Sequence, residues 1–405
     1  MKKIRLENGL KIIIEKRNTD SVTLGIGVKV GSNYENKKVG GISHFVEHML
    51  FEGTKKRSAL EIGRAIDRIG GELNAATLNE KTFFYASILG KYFDIALDVL
   101  SDIIQNPIFD EKSLEKERKV ILEEIKMYTD NPIIYQWILF IKSLYNKHTV
   151  KNPIYGAEKS VSSIAKKDII DFYKSHYQPK NMVIVIVGNA PKDVIPKVKH
   201  AFANLKNVCS TIKKNKIKEP EQKKIEEVAE KKIISQSYVV LGYKCVERAH
   251  KDSYAIDIID TILGHGSSSR LFNELRTKRG LVYQIGSHYE AGTDYGFFGV
   301  SFSIGKQNIE KAKELILAEF EKIKNGISNK ELKDAKNLIE GSYKLENEDN
   351  KKMADLLFFW DVIKSAELGE EYIKQIKKIT NSNIKRVARK YFNRNYTIAV
   401  IEQGK

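Results

Sequence analysis

Gly40-Gly41-Ile42-Ser43-His44-Phe45-Val46-Glu47-His48-Met49-Leu50 is the run from which the rest of the chain can be read. Two glycines give way to a helical pattern in which His44, Glu47 and His48 stand at i, i+3 and i+4. On an α-helix those positions share one face, with Cβ atoms only ~5–6 Å apart. Two imidazoles one turn apart can chelate a single cation, and Zn²⁺ is the usual occupant of such nitrogen–oxygen sites. A glutamate between them is placed to take a proton from water beside the cation. Phe45, Val46, Met49 and Leu50 supply the apolar surface that would bury the helix. The order His-x-x-Glu-His inverts the commoner zinc-peptidase motif and keeps its histidine pair. The alternative is an amphipathic helix that merely carries two histidines.

A catalytic zinc takes three protein ligands and keeps one position open. The best candidate for the third is Glu124, in the run Glu117-Arg118-Lys119-Val120-Ile121-Leu122-Glu123-Glu124-Ile125. Glu117 and Glu124, at i and i+7, share a helical face, whereas Glu123 points roughly 100° away. Val120 and Ile121 are expected to bury this helix, and Glu117 to hydrogen-bond a ligating imidazole. On spacing alone, three ordinary glutamates on an exposed helix account for the run equally well. Further on, Leu275-Arg276-Thr277-Lys278-Arg279-Gly280-Leu281-Val282-Tyr283 joins a helix end to a strand. Arg276 and Tyr283 there could both donate to a substrate carbonyl or an oxyanion, although an exposed arginine and an interfacial tyrosine are each common.

The 405 residues suffice for two or three domains. With 42% hydrophobic and 30% charged residues, the chain is that of a soluble globular protein. The net charge of +17 comes from lysines scattered between glutamates, which reads as a solvated surface; no nucleic-acid motif accompanies it. The longest apolar run, Met182 to Val187, is strand-sized, and no segment has membrane-spanning or signal-peptide length. Two cysteines, Cys209 and Cys245, make no disulfide framework, so a reducing cytoplasm is the expected location. His148, His176, His200, His250, His265 and His288 have no partner spacing and read as surface or interface residues, and Trp137 and Trp360 as core or interface.

Working outward from the histidine helix, Asn8-Gly9 marks a hairpin over 3–16 and Val22–Val30 reads as a strand. Ser58 is a helix N-cap, Gly70-Gly71 a stop, and Glu72–Ala76 and Lys81–Leu89 a strand pair. Helices follow over Tyr92–Gln105 and about Glu111–Tyr128, then a buried strand at Asn181–Val187. The second half repeats this order: strand Tyr238–Tyr243, helix Asp252–Leu263, strands Gly280–Tyr289 and Tyr295–Ile304, helix Asn308–Ile323, final strand Tyr396–Ile401. The position of the metal helix carries no histidine pair there. The predicted organisation is a catalytic half at 1–205, a charged linker at 206–232 and a homologous half at 233–405. The fold class is α+β, with two tandem copies of one unit.

The sequence resembles the pitrilysin/insulinase metallopeptidases, in the mitochondrial-processing-peptidase-like branch. His44-Phe45-Val46-Glu47-His48, Met49-Leu50-Phe51-Glu52-Gly53-Thr54, Gly70-Gly71-Glu72-Leu73-Asn74-Ala75, Glu117-Arg118 and Glu124 carry the resemblance. Ser269-Arg270-Leu271-Phe272, Leu275-Arg276 and Gly280-Leu281-Val282-Tyr283 add to it. It implies two α/β-roll halves, each a mostly antiparallel sheet covered by helices. It further implies one Zn²⁺ per chain held by His44, His48 and Glu124, with Glu47 activating water and Glu117 in support. Arg276 and Tyr283 would help hold substrate, and Asn74, Ala75, Ala76 and Thr77 would form the sheet edge along which a peptide adds as a strand. Two such chains close like a clamshell, so a homodimer is expected, with a different partner chain as the variant of that arrangement. The expected activity is zinc-dependent endopeptidase cleavage of short unfolded peptides or extended termini. The alternatives are a non-catalytic peptide-binding or assembly subunit of the same fold and, last, an anion-binding protein.

Overall fold

The computed structural model describes residues 1–207 and 217–404; Cys209 lies outside them. The Asn8-Gly9 turn, with Gly9 in the left-handed region at φ +92°, closes a hairpin of β1 (Lys2–Arg5) and β2 (Lys11–Lys16). β3 (Ser21–Val28), β4 (Glu72–Thr77), β5 (Thr82–Leu89) and β6 (Met182–Gly188) complete a six-stranded sheet in the order β1-β2-β6-β3-β5-β4. β2 and β6 run parallel and every other neighbour is antiparallel. All seven residues of β6 are buried because helices cover both faces of the sheet, which is why its sequence is a continuous apolar run rather than an alternation.

The second sheet repeats the topology. β7 (Glu226–Lys232), β8 (Ser237–Lys244), β9 (Val282–Ala291), β10 (Gly296–Ile304) and β11 (Thr397–Gln403) lie in the order β7-β11-β8-β10-β9, with β7 and β11 parallel. The order matches β2-β6-β3-β5-β4 position for position, and the architecture is two α+β halves with mostly antiparallel sheets. β7 lies inside the segment read as a charged linker. Its sequence, Glu-Glu-Val-Ala-Glu-Lys-Lys, alternates between half-buried and exposed positions with little apolar content; pairing with β11 makes it a strand.

The chain between β3 and β6 carries the helices α1 (Ile42–Phe51), α2 (Ala59–Asp67), α3 (Phe93–Gln105), α4 (Glu111–Asp130) and α5 (Pro132–Leu144), of which α1 and α4 carry the side chains of the site. Ser58 caps α2 in a reciprocal pair with Glu61. α1 packs against β4 and α3 against β3 and β5.

By its contacts the chain forms two compact units, and each takes in a segment from outside the contiguous spans 1–205 and 233–405. The unit built on the first sheet includes Leu345–Gly369, and the other includes Met127–Lys151. In the first unit the helix Asn350–Ile363 packs on β3, β5 and β6. Phe358 fills the space over Gly27, where any Cβ would stand 2.4 Å from its ring. Asp361, fully buried, lies 2.6 Å from Lys11 Nζ and 2.8 Å from Lys29 Nζ. In the second unit α5 packs on β8 and β11, with Trp137 over Gly299 and the Tyr145 hydroxyl 2.7 Å from the Gly296 carbonyl oxygen.

Two of the histidines read as surface or interface residues are buried within the fold. His148 is fully enclosed with Nε2 3.1 Å from Asp294, and His176 sits with Nδ1 2.9 Å from the Phe172 carbonyl. An enclosed polar partner, which sequence spacing does not reveal, makes each burial affordable. Among the described residues, no helix is long and apolar enough to cross a membrane.

Candidate metal centre

α1 starts where it does because Gly41 adopts φ +93°, and a Cβ there would lie 2.6 Å from the Tyr155 carbonyl oxygen. The carboxylate of Glu35 then accepts hydrogen bonds from the Gly41 and Ser43 amides, at 2.7 and 2.9 Å, and satisfies donors the first turn leaves open. Burial pushes the Glu35 carboxyl up to about 7, against the opposing pull of those two amides. Sequence reasoning missed Glu35. A capping signature is legible within three residues of a helix start, and this one reaches across six to eight.

Ile42, Phe45, Val46, Met49 and Leu50 are buried, which leaves His44, Glu47 and His48 half-buried on another face. α4 meets that face. Its buried stripe is Leu114, Glu117, Ile121 and Ile125; Val120, expected inside, is 39% exposed because it stands on the flank of that stripe. Glu123 is exposed and pairs with Lys126, as its position on the helix predicts. Arg118 holds α4 in place by stacking on Phe45 and donating to the Val161 and Ile164 carbonyls.

The outcome is a triangle of ligand atoms. His44 Nε2 and His48 Nε2 are 3.2 Å apart, and Glu124 Oε2 lies 3.6 and 3.7 Å from them. Among the described residues these three side chains form the group suited to hold a metal ion. Tetrahedral zinc with bonds of ~2.0–2.1 Å separates neighbouring ligand atoms by ~3.3 Å. Two neutral imidazole nitrogens and a carboxylate oxygen at these separations therefore fit zinc in both geometry and chemistry. Glu117 Oε2 is 2.9 Å from His48 Nδ1 and fixes that ring with Nε2 toward the triangle. Lys116 bridges Glu117 to Glu52 at the end of α1.

Electrostatics follow from this crowding. Burial, then the neighbouring His48, lowers His44 to about 3, so it is a neutral ligand at pH 7. For His48, burial opposes the charged form, but the hydrogen bond to Glu117 and the charges of Glu124 and Glu47 outweigh it and raise the pKa. The hydrogen bond to His48 holds Glu117 below its ordinary value. To hold a metal ion, both Nε2 atoms must be free of hydrogen. Glu47 is raised mainly by burial, and the Thr77 hydroxyl that donates to its Oε2 opposes the rise.

Of the four edge residues, Asn74 and Ala76 are exposed and Ala75 is half-buried, on a strand that among the described residues pairs only with β5. The Ala75 amide donates to the Asn74 side chain, 2.8 Å away. Thr77 ends the same strand, with its side chain 8% exposed and its hydroxyl facing Glu47. In the second unit the Arg276 guanidinium stacks 5.1 Å from the Tyr283 ring and 4.9 Å from Phe272, with Tyr283 68% exposed. The structure therefore brings that pair together.

Residues 11–158 match the family described as Insulinase (Peptidase family M16), and 163–339 match the family described as Peptidase M16 inactive domain. The latter covers most of the half without a histidine pair. An uncharacterised zinc protease of Bacillus subtilis is 32% identical over 99% of this chain and 98% of its own, and one of Rickettsia felis 33% over 98% and 96%. A crystal structure of a protease from Helicobacter pylori superposes with a TM-score of 0.95 at 28% identity, covering 99% of both chains. A Pseudomonas fluorescens structure described as a peptidase M16 inactive domain shares the fold at a TM-score of 0.90 and 22% identity, over 100% of this chain and 98% of that one. With the inverted histidine motif and its distal glutamate in one triangle and homology along its whole length, the chain belongs to the insulinase (M16) peptidase family.

Proposed function

We propose that the protein is a zinc-dependent endopeptidase acting on short unfolded peptides or extended protein termini. The observation that carries the reading is the His44–His48–Glu124 triangle with Glu47 on the same turn of α1. His44, His48 and Glu124 would hold one Zn²⁺ per chain, as the names of the Bacillus and Rickettsia relatives suggest. Bound there, zinc supplies the Lewis acidity that polarises a carbonyl and acidifies water. Glu47 takes a proton from the attacking water and passes it to the leaving amine nitrogen. Burial suits it to that task because a carboxyl raised toward neutrality both accepts and returns a proton. Glu117 keeps His48 oriented.

The unpaired edge of β4, from Glu72 to Thr77, supplies backbone donors and acceptors for an added strand, so side chains set preference and main chain sets affinity. Asn74, Ala75, Ala76 and Thr77 lie along it. Such pairing selects extended chains over folded ones. Arg276 and Tyr283, exposed and stacked, present donors to a substrate carbonyl. We place the protein in the cytoplasm, as a homodimer in which one copy's Arg276–Tyr283 pair is available to a peptide on the other.

The test is Glu47→Gln. The variant should keep one zinc per chain and lose turnover of an unstructured fluorogenic peptide by at least about 100-fold. Wild-type activity in this variant would remove Glu47 from the mechanism. Zinc without cleavage in the wild type would favour the non-catalytic peptide-binding subunit.

A further inference from the structure

We infer that Thr77 is the positioning residue for the general base, tying the orientation of Glu47 to the strand on which the peptide pairs; the inference rests on the proposed metallopeptidase reading. Thr77 closes β4, in register with Thr82 of β5. The preceding residues of β4 alternate between exposed and half-buried, and Thr77 alone of the strand is buried. Its hydroxyl donates to Glu47 Oε2 and lies 3.4 Å from Thr82 Oγ1. Thr82 Oγ1 in turn donates to the Val30 carbonyl, 3.0 Å away, so its proton is committed there. The Thr77 hydroxyl thus has two acceptors in reach, Thr82 Oγ1 and the Glu47 carboxylate, and the shorter, charge-assisted contact to Glu47 takes its proton.

A carboxylate on a two-carbon stem rotates freely unless one oxygen is held. The Thr77 hydroxyl holds Oε2, with the Thr77 backbone also hydrogen-bonded to the carboxylate, which leaves the carboxylate's other lone pairs to exchange a proton with water. Oε2 keeps accepting from Thr77 whether or not one of those lone pairs is protonated, so the geometry survives both halves of the proton transfer. Because the anchor belongs to the edge strand, a peptide that orders β4 by pairing with it orders the base as well. Docking and chemistry thereby share one element.

Thr77→Val removes the hydroxyl and keeps the branched strand-forming shape, and Thr77→Ser keeps the hydroxyl. A base displaced by about 1 Å loses on the order of 100-fold in rate. Thr77→Val should therefore lower kcat on the peptide by about 10- to 100-fold, with KM and zinc stoichiometry unchanged and Thr77→Ser within a few-fold of wild type. A second readout needs no turnover. A hydroxamic acid chelates a cation through two oxygens and passes its proton to an adjacent carboxylate. Calorimetric affinity of the zinc-loaded protein for acetohydroxamate should accordingly fall about 10-fold in Thr77→Val and return in Thr77→Ser.

Unchanged kcat and unchanged acetohydroxamate affinity in Thr77→Val would overturn the inference, as would loss of zinc, which would make Thr77 a structural residue. Hydroxamate affinities that follow the hydroxyl in a wild type cleaving no peptide would support Thr77 and sink the peptidase reading. A wild type that takes up no zinc would overturn both.

Discussion

Replacing Glu117 by alanine is expected to weaken zinc binding while leaving all three ligands in place. The carboxylate is 2.9 Å from His48 Nδ1, and its side chain is 10% exposed against 17% for His48, so solvent screens the pair little. A hydrogen bond of this charged type contributes ~1.5–3 kcal/mol. Taking ~2 kcal/mol, at ~1.4 kcal/mol per factor of ten, the zinc dissociation constant should rise about 30-fold, within the 10- to 100-fold typical of partners that orient a ligating imidazole. Glu117→Gln keeps an acceptor oxygen for Nδ1–H and gives up the charge; a loss of ~1 kcal/mol makes it about fivefold. Fold loss is not a confounder, since Lys116 retains Glu52, 2.8 Å away, and alanine favours the helix. The assay is competition for zinc against a chromogenic chelator at pH 7.5, with circular dichroism as the control for folding. An alanine variant within twofold of wild type, or a glutamine variant weaker than the alanine one, would show that the contact does not orient the ring.

Two further outcomes concern stability. Glu35 has an ordinary pKa of 4.5 and is raised to about 7 in the fold, so folding favours its protonated form. Its contribution is most favourable below pH ~4.5, declines as pH rises toward 7, and is constant above. At 1.36 kcal/mol per pH unit the decline is ~3 kcal/mol. Urea unfolding of metal-free wild type and Glu35→Gln between pH 4 and 8 should show that difference growing with pH, and a flat difference would refute the assignment. Phe358, fully buried over Gly27, seats the helix Asn350–Ile363 on the first sheet, and Phe358→Ala should cost ~3–5 kcal/mol in the same assay; a loss under ~1 kcal/mol would mean this helix is not part of the first unit's core.

Much of this architecture is local and therefore legible along the chain. The apolar period around His44, the Ser58 cap, the Asn8-Gly9 turn and the run at Met182–Val187 each set an element within a few residues of themselves. The histidine pair is equally local, because a helix places i and i+4 on one face whatever surrounds it. Other features depend on partners far away in sequence. Glu226–Lys232 is a strand because β11 lies beside it, some 170 residues on. Val120 is exposed because Glu117 and Glu124 claim the inward face of α4. Spacing left Glu124 and an ordinary solvated glutamate equally good readings until α4 brought its Oε2 to 3.6 and 3.7 Å from two imidazoles. The same holds for the Glu35 carboxylate at the head of α1, for Thr77 turned toward Glu47, and for the exchange of one helix-bearing segment between the two units. Hydrogen-bond periodicity acts over a few residues and so is written in sequence order. Burial, hydrogen-bond partnership and ligand triangles form between segments that only packing brings together.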